Sequence, residues 1–148
     1  MVHLLSRRKP IRGLSTIECA LVLPLCIMVL VGIIEGARVI AARELLDNAA
    51  REGARLAAVS TTSLTTADIQ AAVSKRFSGQ TTAPNLTVLV YRADPVTGQN
   101  LGAWTDAGRG DCIAVEATAS HTVAMPLFGL LPNTLSLHAK SLVYSEGN

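Results

Sequence analysis

An uncharged apolar run near the N-terminus limits the folds open to this chain. The sixteen residues from Cys19 to Ile34 carry no charge, and extension back to Leu14 gives twenty-one residues interrupted only by Glu18. At 1.5 Å per residue, twenty-one helical residues reach roughly 31 Å, which is about the hydrocarbon thickness of a bilayer. Residues 14–34 are therefore predicted to form a membrane-spanning helix.

Basic residues cluster immediately before this run. Arg7, Arg8, Lys9 and Arg12 lie within the first thirteen residues, which contain no acidic residue, whereas the rest of the 148-residue chain has nine basic and eleven acidic side chains. Because a basic flank holds its end of a membrane helix in the cytoplasm, the remainder of the chain is expected to be exported. No basic surface remains for nucleic acid, and aromatic residues that could stack on bases make up only 3% of the chain.

Two ordinary explanations account for most of this pattern. A secretory signal has basic, apolar and cleavage regions in this order, and Val39-Ile40-Ala41 could serve as a weak cleavage site. A plain signal-anchor explains the apolar run and the basic flank equally well. Neither explains Glu18, because an ionised carboxylate without a partner at membrane depth costs several kcal/mol.

The residues RGLSTIECALVLPL resemble the processing site of type IV prepilins, in which a basic leader ends in Gly and the fifth mature residue is Glu. The resemblance makes residues 1–13 a leader peptide, Leu14 the first mature residue and Glu18 the fifth. It implies cleavage between Gly13 and Leu14 by a prepilin peptidase, and methylation of the new N-terminus by the same enzyme.

The chemistry of such a cut accounts for the acidic residue. Gly13 has no side chain to obstruct a protease at the membrane surface, and cleavage after it creates a new α-amino group on Leu14. This cationic amine of one helix can pair with Glu18 of a neighbouring helix, so that each neutralises the other in a low-dielectric setting. Glu18 is therefore interpreted as an assembly contact.

The segment that follows is similar to the TadE-like minor pilins of tight-adherence (Flp) pilus systems, in which a Gly-Ile-Ile-Glu-like turn precedes small residues and Arg, as in Gly32 to Arg38. The resemblance implies a protein without a cofactor or enzymatic activity that is needed to assemble a type IVb (Flp/Tad) pilus for surface adhesion. Its implied partners are the prepilin peptidase, other pilin or minor pilin subunits and the inner-membrane assembly platform.

The same resemblance implies a bacterial inner-membrane protein with a cytoplasmic N-terminus and a periplasmic C-terminal domain, able to enter an extracellular pilus. Two alternatives remain open. One is a pseudopilin of a type II-like secretion machine, and the other is a signal-anchored periplasmic binding domain.

Residues 35–59 are predicted to continue the helix outward from the membrane, because they lack Pro and are rich in Ala, Leu, Arg and Glu. A narrow apolar stripe that includes Ala49 and Gly53 suits close approach by a sheet or another helix. Gly32 and Gly36 have the GxxxG spacing that lets helix backbones touch. An equal alternative is that this glycine pair only gives the helix room to bend near a kink.

Residues 60–148 are predicted to form a small exported domain. A Ser/Thr-rich linker, 60–66, precedes a short helix that begins at Thr65 or Thr66 and ends near Phe77. About three antiparallel strands are predicted over 86–91, 112–123 and 135–144. The fold class is α+β and pilin-like, with the long N-terminal helix packed against a small antiparallel sheet. The apolar loop from Met125 to Pro132 is interpreted as a core plug, with a partner contact as the alternative.

The sequence offers no catalytic constellation and no metal site. Ser120 and His121 are adjacent in a predicted strand and point to opposite faces, which is poor geometry for a nucleophile and its base. His121 and His138 could approach each other across two strands, but with Cys112 they lack compact zinc spacing. Cys112 is expected to be buried because it begins an apolar strand, with an intermolecular disulfide bridge as the alternative.

Overall fold

A computed structural model describes residues 12–59, 63–78, 85–123 and 132–146, with side chains described from Thr16 onward. Its helices are α1 (Arg12–Val59) and α2 (Thr66–Ser78), and its strands are β1 (Thr87–Ala93), β2 (Asn100–Gly102), β3 (Cys112–Thr122) and β4 (Thr134–Tyr144). The strands form one antiparallel sheet in the order β2-β1-β3-β4. The predicted α+β class, with a long helix against a small antiparallel sheet, is confirmed.

The C-terminal half of α1 packs against the sheet through very small side chains. Its buried residues recur at three- and four-residue spacing and are Ala42, Leu46, Ala49, Ala50, Gly53, Ala54, Ala57 and Ala58. A Cβ atom added at Gly53 would lie 2.5 Å from Val73 Cγ2 and 3.4 Å from Val115 Cγ1. Only a glycine lets α1 approach α2 and β3 this closely.

The sheet covers α1 with one face of its two longest strands. On β3 this face carries Ile113, Val115, Ala117 and Ala119, all of which are buried. On β4 the alternating residues Leu135 to Val143 are buried or half-buried, as their period of two predicts. The strands pair in continuous register from Cys112 opposite Tyr144 to Thr122 opposite Thr134. One long, flat apolar surface therefore supports the helix.

The second helix begins at a capping box. Thr65 Oγ1 accepts a hydrogen bond from the Asp68 backbone N–H at 3.3 Å, and an Asp68 carboxylate oxygen accepts one from the Thr65 backbone N–H at 2.9 Å. This reciprocal pair satisfies two of the donors that a helix start leaves open. Ile69, Val73 and Phe77 of α2 are fully buried and close one side of the core.

The sheet contains one strand more than the three predicted. β2 is only three residues long, Asn-Leu-Gly, and has no alternating pattern by which to recognise it. It pairs with β1 because the turn between them is well specified: Asp94 Oδ1 accepts hydrogen bonds from the backbone N–H groups of Val96 and Thr97, and Gly98 has φ +67°. Most of the predicted plug, Met125 to Pro132, and residues 60–62 of the predicted linker lie outside the described residues.

Candidate functional site

None of residues 16–34, the N-terminal half of α1, is buried among the residues that the structure describes. Large apolar side chains are exposed all round it, and they are Ile17, Leu21, Val22, Leu23, Leu25, Ile27, Val29, Leu30, Ile33 and Ile34. A surface helix of a soluble domain would bury one stripe of these residues. Residues 16–34 extend roughly 28 Å, close to the thickness of a bilayer core. This half of α1 is long and apolar enough to cross a membrane.

The predicted processing residues lie at the beginning of this helix. Gly13 and Leu14 fall in the first turn of α1, and their side chains, like that of Arg12, lie outside the described part of the chain. The leader residues Arg7, Arg8 and Lys9 are outside it altogether. Glu18 is exposed on the apolar half of α1 and, within the described residues, has no ion-pair partner within 4.0 Å.

The four predicted helix-packing residues divide into two pairs. Ala49 and Gly53 are buried against the protein's own core. Gly32 is half-buried and Gly36 is exposed, with no described atom within 4 Å of the position that a Cβ on Gly36 would take. The surface around Gly36 is therefore open to a backbone of another molecule.

Two buried polar side chains mark the point where the exposed half of α1 meets the domain. Glu35, 5% exposed, has its Oε1 atom 3.6 Å from Nε2 of His121, which is 9% exposed and ends the inner face of β3. Arg38, one turn further along α1, places Nη1 3.6 Å from Glu35 Oε2. We call Glu35, His121 and Arg38 the boundary cluster. It attaches the strand end to the helix where the first buried turn begins.

Sequence reasoning did not predict the boundary cluster. It treated Glu35 as part of the Gly-Ile-Ile-Glu pattern and His121 as a poor base beside Ser120. The available signal was the alternation of β3, which continues from Ile113 and Val115 to position 121 and so places a histidine on the apolar face. A histidine there needs a polar partner from the facing helix.

Residues 13–55 match the family model described as TadE-like protein. The predicted resemblance is confirmed over this segment, which we call the TadE-like segment. It contains the exposed half of α1, Glu35, Arg38 and the first buried turns against the sheet. Neither a curated protein nor a solved structure matches the chain.

The TadE-like segment indicates a role in the Tad pilus system and association with pilus assembly components. TadE-like proteins are pilus-related structural components and are not a known enzyme family. The segment's apolar half is a candidate membrane anchor, consistent with such a component. The part of the chain beyond Arg55, with α2 and the sheet, lies outside the match.

The two histidines of the sheet do not approach each other. In the β3–β4 register His121 lies opposite Leu135 and His138 lies opposite Thr118, so the two side chains are on opposite faces of the sheet. The predicted approach of His121 and His138 across two strands is therefore wrong. Across the described ranges, no group of three or more His, Cys, Asp or Glu side chains could hold a metal ion. Cys112 is buried, and burial raises the pKa of its thiol.

A polar cluster occupies the outer face of the sheet, away from α1. Glu116 on β3 interacts with His138 Nε2 at 2.6 Å and accepts a hydrogen bond from the Tyr91 hydroxyl at 2.8 Å. Two hydrogen bonds hold the pKa of the Glu116 carboxyl below its usual range. The bond from His138 has the larger effect and the bond from Tyr91 the smaller. This cluster joins three neighbouring strands of the sheet, β1, β3 and β4.

This cluster predicts a loss of stability in acid. Because the folded-state pKa of Glu116 is depressed, its contribution is present above the unfolded pKa of about 4.3 and is lost as the pH falls through the folded value. We expect His138→Ala to reduce the dependence of the melting temperature on pH between about pH 3 and 5. Thermal unfolding of the detergent-solubilised chain measures this, with Ser136→Ala on the same strand face as control. An unchanged acid slope in His138→Ala would contradict the assignment.

Proposed function

We propose that the chain is a minor pilin-like protein that helps assemble a type IVb (Flp/Tad) pilus used in surface adhesion. A prepilin peptidase cuts it between Gly13 and Leu14, and the exposed half of α1 then packs among the apolar helices of other pilin or minor pilin subunits. Before assembly it lies in the bacterial inner membrane, with its N-terminus in the cytoplasm and residues 60–148 in the periplasm. The chain itself performs no chemical reaction.

The observation that carries this proposal is an acidic residue on an uncovered apolar helix. Glu18 lies among side chains such as Ile17 and Leu21 that are 64% and 72% exposed, so lipid or neighbouring apolar helices must surround it. A carboxylate in such surroundings requires a cation. Cleavage after Gly13 creates one four residues away in the sequence, at the amino group of Leu14, and a neighbouring helix shifted along its axis can present that amine to Glu18.

The TadE-like match supports the same proposal, because it covers Gly13, Leu14, Glu18 and the whole exposed half of α1. Both the match and the exposed surface therefore concern the part of the chain that would contact other subunits. The C-terminal half of α1, together with the sheet packed on it, is then the exported domain.

Mass spectrometry of the native protein's N-terminus tests the proposal. We expect a chain that begins at methylated Leu14, isolated from membranes or from sheared pili of the producing bacterium. A chain that begins at Met1 would contradict processing and favour a plain signal-anchor. A chain that begins at Ala42 would contradict the membrane anchor as well, because it would show cleavage as a secretory signal after Val39-Ile40-Ala41.

A further inference from the structure

The sheet is incomplete beside β1. β2 pairs with β1 only at Arg92 and Ala93, the last two residues of that strand. Among the residues that the structure describes, no strand pairs with the rest of β1 on this side. The strand position next to β1 is therefore filled at one end and holds no strand beside residues 87–91. We call this side of residues 87–91 the open edge.

The side chain of Gln70 shows which backbone groups the open edge presents. Its Nε2 atom, on α2, donates a hydrogen bond to the carbonyl oxygen of Val88 at 2.9 Å. The Val88 carbonyl therefore points away from β3, and the backbone of Val90 does the same, because successive residues of a strand direct their hydrogen-bonding groups to alternate sides. Arg92, the next residue in this series, is paired with β2. Val88 and Val90 thus continue the row of donors and acceptors that β2 uses.

A groove lies between the open edge and α2. It has a volume of about 510 Å³, and the described residues that line it are Gln70, Ala71 and Ser74 of α2 and residues 86–89. All of these residues are uncharged. Ala71 and Ser74 have small side chains, so the helix leaves room beside the strand.

An extended peptide is the ligand that matches such a groove. The backbone N–H and C=O groups along the edge of a strand are complementary to those of another strand. The four residues of the chain that line the groove, 86–89, span about 13 Å, so an added strand of roughly four or five residues fits. The lining offers no counter-ion, and burial of an unpaired charge there would be costly. The segment that fits is therefore uncharged.

We propose that the groove binds an extended, uncharged segment of a different pilus subunit, which adds to the sheet as a strand in line with β2 and antiparallel to β1. This inference rests on the proposed function, because pilus assembly brings other subunits to the exported domain. In the complex the Val88 carbonyl oxygen accepts a hydrogen bond from the segment instead of from Gln70. Val90 exchanges hydrogen bonds with the residue two positions away in the segment.

The two faces of the added strand meet different surroundings. Val88 is buried on the inner face of the sheet, so segment residues opposite Val88 and Val90 direct their side chains inward, toward α2. Only small side chains fit there beside Ala71 and Ser74. The intervening residue points outward beside Leu89, which is 54% exposed, and a β-branched side chain gains contact with it. The preferred segment therefore alternates small and β-branched residues.

An NMR titration of the isotopically labelled full chain in detergent micelles tests the groove. The probe is the blocked peptide acetyl-Thr-Ala-Val-Ala-Thr-amide, which has this alternation and no charge. We expect it to shift the amide resonances of Val88 and Val90 with a Kd on the order of 1 mM, because a short flexible peptide loses entropy when it is ordered. The absence of shifts at these residues at about ten times that concentration would overturn the proposal.

Two methylated peptides separate strand addition from non-specific contact. In the proposed pairing the N–H groups of both Ala residues point to β1, and the N–H of the central Val points away from it. N-methylation of the two Ala residues should lower the affinity by at least about tenfold, whereas N-methylation of the Val should leave it unchanged. Equal affinities of the two methylated peptides would contradict the pairing.

Substitutions on α2 have opposite expected effects on the affinity for the same peptide. Gln70→Ala removes the side chain that the segment displaces, so the affinity should rise about fivefold. Ala71→Trp fills the groove and should lower the affinity by at least about tenfold. The control Lys75→Trp changes an exposed residue of α2 that does not line the groove and should bind as the native chain does. Weaker binding by Gln70→Ala would contradict the displacement of that side chain.

Pili of the producing bacterium test the occupant. We expect Ala71→Trp to be cleaved normally and to yield about tenfold fewer pili than Lys75→Trp, in proportion to its lost peptide affinity. Normal piliation of Ala71→Trp would show that no pilus subunit uses the groove. If concentrating the chain without peptide shifts the Val88 and Val90 amides, the occupant is a second copy and its assignment to a different subunit is wrong.

Failure of this inference and failure of the proposed function are distinguishable. A native chain that begins at Met1 rejects the proposed function. A mature chain that begins at Leu14, combined with no binding of the peptide, rejects only the strand addition at the groove.

Discussion

Substitution of Gly13 by Ala is expected to leave the leader peptide attached to the whole population of the protein. In the proposed processing, a prepilin peptidase reaches the peptide bond between residues 13 and 14 at the membrane surface, and a methyl group at position 13 would obstruct that approach. The expected product keeps residues 1–13 and lacks the cationic amine of Leu14. Immunoblotting with intact-mass measurement distinguishes it from the mature chain by the mass of the leader.

The matched control for this variant is Glu18→Gln. It leaves Gly13 and Leu14 unchanged, so its cleavage should be normal, but it removes the charge that we propose pairs with the amine of a neighbouring helix. We therefore expect a mature chain that remains in the membrane and does not enter pili. Normal processing of Gly13→Ala would contradict recognition by a prepilin peptidase. Normal incorporation of Glu18→Gln would contradict the pairing mechanism while leaving the cleavage intact.

Removal of His121 is expected to destabilise the domain that the sheet forms with α1 and α2. In His121→Leu, the buried Glu35 loses the imidazole 3.6 Å from its carboxyl group and keeps Arg38, whose side chain is 53% exposed. Depriving a buried polar group of one of its polar neighbours costs about 1–3 kcal/mol. Denaturant unfolding in detergent micelles measures this as a shift of the midpoint at constant slope.

A double-mutant cycle separates the pair from simple packing. Replacement of both members, Glu35→Leu with His121→Leu, removes the buried carboxyl group together with its polar neighbour and should recover most of the lost stability. Thr122→Leu, on the exposed neighbouring position of β3, serves as the control for a leucine introduced at this strand end. If the double variant were as unstable as the sum of the two single variants, the coupling between Glu35 and His121 would be absent.

The described structure agrees with the sequence reasoning wherever one local pattern governs a whole element. The helical periodicity from Glu35 to Val59 predicts the outward continuation of α1, and the alternation after Leu135 predicts β4. The capping residues Thr65 and Asp68 lie at the predicted beginning of α2. β2 was missed because three residues carry no period, and the strand exists only through its pairing with β1.

The candidate functional site likewise combines features that local sequence predicts with one that it does not. The exposed half of α1 and Glu18 follow from composition and charge alone, because the cost of placing an ionised group among apolar side chains does not depend on the rest of the fold. The boundary cluster does depend on it. His121 lies 86 residues after Glu35, and their contact arises because the inner face of β3 ends over the first buried turn of α1.

Local sequence was therefore sufficient to establish the helices, the long strands and the apolar surface that α1 presents. Their periods and charges act over a few residues and are insensitive to distant partners. Packing of the sheet on α1 settled which polar groups meet: it separated His121 from His138 and joined His121 to Glu35. These contacts depend on strand register and on the closeness of the Gly53 crossing, which are properties of the assembled core and not of any short segment.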